Sequence, residues 1–176
     1  MVDTCKICGR EHDVWPPDWA LQRPDVVWHM PPADRRTRVS EGNDLCTVDG
    51  DTFFIRTVLK VPIVGRKLLF GLIKSRAYWG IGLWVEVAKD KFVRYNELFS
   101  EDGKNEPTFE GRIANRLRAF PEAFGQTVNI KIGNSTQRPT LSFSKCAAGK
   151  LALAQRQGLT DEELHLALAL EGVLGE

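Results

Sequence analysis

The sequence is poor in the residues from which catalytic motifs are built: 176 residues hold three histidines and four cysteines. It has no Gly-rich phosphate loop, no His-Glu-x-x-His and no nucleophile elbow, which removes the enzyme classes that carry those signatures. No apolar run approaches the roughly 20 residues needed to span a bilayer. The first residues, with Asp3, Cys5 and Lys6, lack the apolar segment of a signal peptide, so the expected compartment is the cytoplasm. Neither sign of charge is in excess. With 24 basic residues against 23 acidic ones, no global field draws the chain to nucleic acid or to an anionic membrane. Internal repeats, low-complexity tracts and linkers are also missing, and a 43% hydrophobic content suits one compact domain over 1–176.

What the sequence does have is concentrated at its start. In Cys5-Lys6-Ile7-Cys8-Gly9 the two thiols are separated by two residues and followed by glycine, a knuckle whose backbone can turn both sulfurs toward one metal ion. Four cysteines would also allow two disulfides, but in a reducing compartment metal binding or free thiols are expected. Zinc is the expected metal. A zinc held by four protein ligands has no open position for substrate, so its role is that of a staple. Cys5, Cys8 and Cys46 are the first three candidate ligands. His12 is the fourth, because three intervening residues let its imidazole return to the ion that Cys8 holds; His29 and Cys146 are the alternatives. A shared ion would tie the head of the chain to the sheet that begins near Cys46. The bland alternative is that Cys46 is a small buried hydrophobe. Redox chemistry at Cys5 and Cys8 is disfavoured, because a thioredoxin-type motif follows a strand and opens a helix, whereas four residues precede Cys5.

Residues 1–44, rich in proline and tryptophan, read as an irregular head. The sheet-forming core is expected over 45–145: a strand at Leu45 to Val48, an Asp49-Gly50 turn, and a longer strand from Phe53 to Val61 with Phe53, Ile55, Leu59 and Val61 on its apolar face. Trp79, Ile81, Leu83, Val85 and Val87 share one face of another strand, with glycines 80 and 82 leaving room beside them. A short amphipathic helix fits 91–99, capped by Asp90, and a hairpin joins strands near 128–132 and 141–143. Helices over 147–157 and 161–170 complete a helical tail at 146–176, the second with Thr160 and Glu163 as a capping box. The fold class is α+β with a mainly antiparallel sheet.

Several blocks together, Cys5-Lys6-Ile7-Cys8-Gly9-Arg10-Glu11-His12, Asp44-Leu45-Cys46-Thr47-Val48-Asp49, Trp79-Gly80-Ile81-Gly82-Leu83-Trp84-Val85 and Gly111-Arg112-Ile113-Ala114-Asn115, resemble the bacterial domain-of-unknown-function family numbered 2199. The resemblance covers most of the chain. His12 recurs in that pattern, which adds to its case as a ligand, while Gly149-Lys150 stands where the pattern has a His-Pro pair. No activity is implied.

Arg56 on the polar side of the long strand, Trp84 opposite the core run and Arg94 on the short helix are expected to line a groove for a carboxylate or a peptide. The competing reading of these residues is structural ion pairs and an edge-covering tryptophan. Arg35, Arg36 and Arg38 read as a solvated loop. The functional expectation is a zinc-stabilised protein that binds a protein or small ligand. The competitor is an enzyme, hydrolase-like or thiol-redox, whose site is assembled from residues distant in sequence.

Overall fold

A computed structural model describes residues 3–4, 9, 11–12, 18–64, 78–98 and 103–174. Proline limits what the head can form. Strands β1 (Asp3–Thr4), β2 (Glu11–His12) and β3 (Trp19–Ala20) are two residues each, and the first two pair antiparallel. Pro24 stands just before α1 (Asp25–Trp28), and Pro32 opens α2 (Pro32–Arg38), where its missing N–H would have had no helical partner. Strand β4 (Val39–Glu41) follows. The head is therefore more regular than expected. Arg35, Arg36 and Arg38 lie on a helix rather than a loop, and Arg38 grips Asp49 through two hydrogen bonds of 2.9 and 2.7 Å.

Asp49 and Gly50 take φ of 55° and 71°, both in the left-handed region, and with Asp51 they form a three-residue connection in which the Asp51 N–H donates to the Val48 carbonyl at 3.2 Å. They join β5 (Leu45–Val48) to β6 (Thr52–Pro62). β6 pairs antiparallel with β7 (Tyr78–Val87) from Phe53↔Val87 to Pro62↔Tyr78. Next come α3 (Lys89–Glu97), β8 (Phe109–Ile113), β9 (Thr127–Lys131), β10 (Thr140–Ser142), α4 (Lys150–Gln157) and α5 (Asp161–Leu170). β7, β8, β9 and β10 pair antiparallel in turn, and β10 closes onto β6 in parallel, Thr140↔Val58 and Leu141↔Leu59. The result is a small five-stranded barrel, with β5 and β4 extending the sheet from β6 and β3 lying parallel on β7.

The expected apolar faces form the interior. Ile55, Leu59 and Val61 of β6 and Trp79, Ile81, Leu83 and Val85 of β7 are wholly buried, joined by Ile113, Val128, Ile130 and Leu141. Burying each such side chain contributes on the order of 1.5–3 kcal/mol. β8 was not expected from the sequence. Gly111 is the reason it is both hard to see and necessary: a Cβ there would lie 2.7 Å from Ile130 Cδ1 and 2.9 Å from the Glu86 carbonyl. α3 packs Phe92 against Phe53 with centroids 5.1 Å apart, and Tyr95 and Leu98 are buried. Its N-cap is Ala88 and not Asp90, which sits in the first turn paired with Lys91. The capping box of α5 forms as expected, and Gly158, with φ of 85°, ends α4.

The head covers the second face of β6 and β7. Val27 and Met30 pack with Cys46, Val48, Phe54 and Trp84 in a smaller apolar cluster. The room left by the glycines of β7 is filled: a Cβ on Gly82 would lie 2.7 Å from that of Ala20, and one on Gly80 would lie 2.8 Å from Asp18 Oδ1. Asn115, with no solvent exposure, fastens this layer. Its Oδ1 accepts from the Trp84 backbone N–H at 2.8 Å, and its Nδ2 donates to the Arg23 carbonyl at 2.7 Å and to Asp25 Oδ1 at 3.1 Å. Trp84 Nε1 donates to the Leu21 carbonyl at 3.1 Å.

Candidate functional site

The same close approach that seats Asp18 to Ala20 on β7 leaves a cleft beside it, of about 540 Å3. Its floor is the even-numbered side of the hairpin, Val58, Lys60, Gly80 and Gly82. Strand alternation puts these residues on the side opposite the barrel core. One wall is Asp18 to Ala20; the other is the stretch from Ile132 to Thr140, which connects β9 to β10. Asn134 shapes that connection by accepting from the Thr136 N–H at 3.1 Å and its hydroxyl at 2.8 Å, a local side-chain turn. Tyr78, Tyr95 and Leu98 add aromatic and aliphatic surface.

The charges of the cleft are placed by register. Lys60 lies opposite Gly80 on the ladder, and its Nζ stands 4.8 Å from the centre of the Tyr78 ring. The parallel register of β10 on β6 places Arg138 beside Arg56. Asp44, whose carbonyl accepts the Arg56 backbone N–H at 2.9 Å, pairs through its carboxylate with Arg138. The Arg56 guanidinium is pushed below its ordinary pKa by burial and by the neighbouring Arg138, and its Nε is buried without a hydrogen-bond partner among the described residues. Burial raises the Tyr95 phenol to about 12.

The groove expected from Arg56, Trp84 and Arg94 is replaced by this arrangement. Arg56 and Trp84 do meet, being ladder partners with the guanidinium 6.0 Å from the indole. Trp84, however, is 1% exposed, because the head lies over it. Arg94 faces elsewhere: its Nε donates to Glu106 at 3.0 Å and its Nη1 to Glu97 at 3.2 Å, beside a recess of about 100 Å3 that Phe109 also lines. Amphipathic patterning placed Trp84 on the correct face but carried no sign that the head would cover it. Of the cleft residues from Asn134 to Arg138, the sequence marks only Asn134 and Ser135, as part of a turn signal with Gly133, since their role depends on the closure of β10 onto β6.

Of the candidate zinc ligands, Cys5 and Cys8 lie outside the described residues, and only the backbone of His12 is described, on β2. Cys46 is 1% exposed in the cluster with Val27 and Met30, and burial pushes its thiol up to about 12. Cys146 is exposed, and so is His29, whose Nδ1 lies 2.8 Å from the Asp25 carbonyl. Among the described residues no three His, Cys, Asp or Glu side chains gather as a metal site, and no helix is long and apolar enough to cross a membrane.

The family model described as "Uncharacterized protein conserved in bacteria (DUF2199)" matches residues 4–159. The chain belongs to that family. The DUF2199 match takes in the whole barrel, both walls of the cleft and all of α4, and ends just before α5. No curated protein and no solved structure matches this DUF2199 chain.

Proposed function

We propose that this protein is a ligand-binding protein whose site is the cleft between Asp18 to Ala20 and Ile132 to Thr140. The observation that carries the reading is the convergence on one concave surface of Lys60, Arg138, two tyrosines and a polar connection, held on the barrel. A cleft of about 540 Å3 has the size of a small-molecule site or of a site for a short peptide segment. Ligand-observed NMR with a chemically diverse fragment set tests this against wild type and Thr140→Trp, since Thr140 is exposed on β10 and a larger side chain there intrudes on the cleft. Fragments are expected to bind wild type and to lose binding in the variant. Hits that bind both equally overturn the reading.

In the same proposal zinc is a structural ion held by Cys5, Cys8, His12 and Cys46, in the cytoplasm. The spacing of the knuckle supports it, and so does the position of Cys46 among Val27 and Met30, on the face where the head meets the sheet. The apolar surroundings that keep the Cys46 thiol protonated oppose metal binding, since a ligating sulfur must give up its proton. Native mass spectrometry of untagged protein purified without added metal decides the matter. One zinc per chain, lost in both Cys8→Ser and Cys46→Ser, is expected. Full occupancy in Cys46→Ser would make Cys46 a packing residue alone.

A further inference from the structure

We infer that the ligand of the cleft is an organic anion, its carboxylate or phosphate read by Lys60 and Arg138 and its body lying along Tyr78 and Val58; this rests on the reading of the cleft as a binding site. Two cations line the cleft, Lys60 and Arg138, and a third, Arg56, neighbours Arg138 outside the lining. Arg56 and Lys60 point the same way from β6, four residues apart, and the parallel register brings Arg138 beside Arg56. The compensating carboxylate on that side is Asp44, already paired with Arg138. The other acidic side chain of the cleft, Asp18, lies against Gly80, the ladder partner of Lys60.

Lys60 is held in a way that suits a visiting anion. Lys60 has no ion pair among the described residues; it rests over the Tyr78 ring, which fixes the ammonium without neutralising it. Arg56 directs a single long hydrogen bond, 3.4 Å, to the Asn43 carbonyl and leaves its Nε buried and unpaired among the described residues. The Asp44 carboxylate pairs with Arg138, the neighbouring Arg56 repels that guanidinium, and an anion that accepts from Arg138 offsets the repulsion. Ser135 and Gln137 lie exposed in the adjoining wall with further donors. A bare ion would leave Tyr78 and Val58 unused, so the class is an anion carried on a flat or apolar body.

The test is an amide NMR titration with three probes that share a ring and differ in charge: benzoate, phenyl phosphate and benzamide. Benzoate or phenyl phosphate is expected to shift the amides of Lys60, Gly80, Ala20 and Thr140 saturably, at least tenfold more tightly than benzamide. The tighter of the two anions distinguishes a carboxylate from a phosphate ester. Lys60→Gln, at an exposed position that does not threaten folding, is expected to weaken the anion at least tenfold, and Arg138→Gln to do the same. The free spectrum of each variant checks that the fold is kept. If benzamide binds the cleft as tightly as benzoate, the cleft is a site but the anion class is wrong. Shifts scattered over surface lysines, or no shift in the cleft with either anion, also overturn the inference, while the fragment experiment judges the cleft itself independently.

Discussion

Asn115 offers the sharpest test of how the head is held. Asn115→Ala removes an acceptor from the Trp84 backbone N–H and a donor from the Arg23 carbonyl and from Asp25 Oδ1. Asp25 keeps the Arg116 N–H through its other oxygen at 2.9 Å, so two backbone groups lose their side-chain partner. A buried polar group deprived of its partner costs about 1–3 kcal/mol, which places the variant about 3 kcal/mol below wild type. For a chain of this length that is a fall in Tm of about 6–12 °C. Urea unfolding followed by far-UV circular dichroism gives the free energy, and near-UV dichroism reports the packing of Trp84 under the head. Asn115→Asp separates hydrogen bonding from volume. It keeps the acceptor for Trp84 but aims a carboxylate at the Asp25 carboxylate and the Arg23 carbonyl. It is expected to be at least as damaging at neutral pH and to recover in part as the pH falls and the carboxyl takes up a proton. Asn115→Ala within 1 kcal/mol of wild type would refute the view that this amide fastens head to barrel.

Gly158→Ala is expected to destabilise by more than the 1 kcal/mol or so of an ordinary cap loss, because φ is 85° and the added Cβ would lie 2.6 Å from Val64 Cγ1 and 3.1 Å from the Pro62 carbonyl; thermal unfolding indistinguishable from wild type would sink that account. Of the two described cysteines, Cys146 is expected to react with a disulfide reagent at pH 8 and Cys46 to stay protected until unfolding, its thiol raised to about 12 by burial; equal rates in metal-free protein would contradict it. Arg38 and Arg94 hold the carboxyls of Asp49 and Glu106 below their ordinary pKa values. Lowered carboxyl values in the folded state mean that the unfolded chain binds more protons in acid, so this stabilisation is full above pH of about 5 and is lost as the pH falls through the folded values. Carboxyl carbon NMR should find the Glu106 midpoint moved up in Arg94→Gln; no movement would remove Arg94 as the cause.

Where an element's identity depended on local rules, it could be read directly. The alternation of Phe53 to Val61 and of Trp79 to Val87, the Asp49-Gly50 turn, the Thr160 and Glu163 box and the Gly158 stop each follow from the preferences of a few adjacent residues. β8 escaped because Phe109-Glu110-Gly111-Arg112-Ile113 alternates over only five residues and its central inward position is a glycine, which carries no apolar signal. The closure of β10 on β6 could not be read either, since a two-residue parallel pairing leaves no periodicity of its own. The cleft inherits that difficulty. Arg56 stands out in the sequence, but its neighbour Arg138 joins it only through the closure, and Trp84 reads as part of an open groove because nothing near it in sequence marks the cover that Leu21, Val27 and Met30 provide.

The parallel pairing of β10 with β6 also bears on the order in which the molecule assembles. The β6 and β7 hairpin joins residues close in the chain, whereas Val58 and Thr140 are about 80 residues apart and are held by a pairing only two residues long. Loop entropy has to be overcome before so short a seam contributes anything, which makes it the last part of the barrel to form and the first to breathe. Hydrogen exchange at Leu141 is therefore expected to outpace that at Leu83. Because Val58 and Thr140 also line the cleft, an occupant bridges the seam. Binding there would slow the opening of the whole barrel, so that the time the fold survives becomes a readout of whether its cleft is filled.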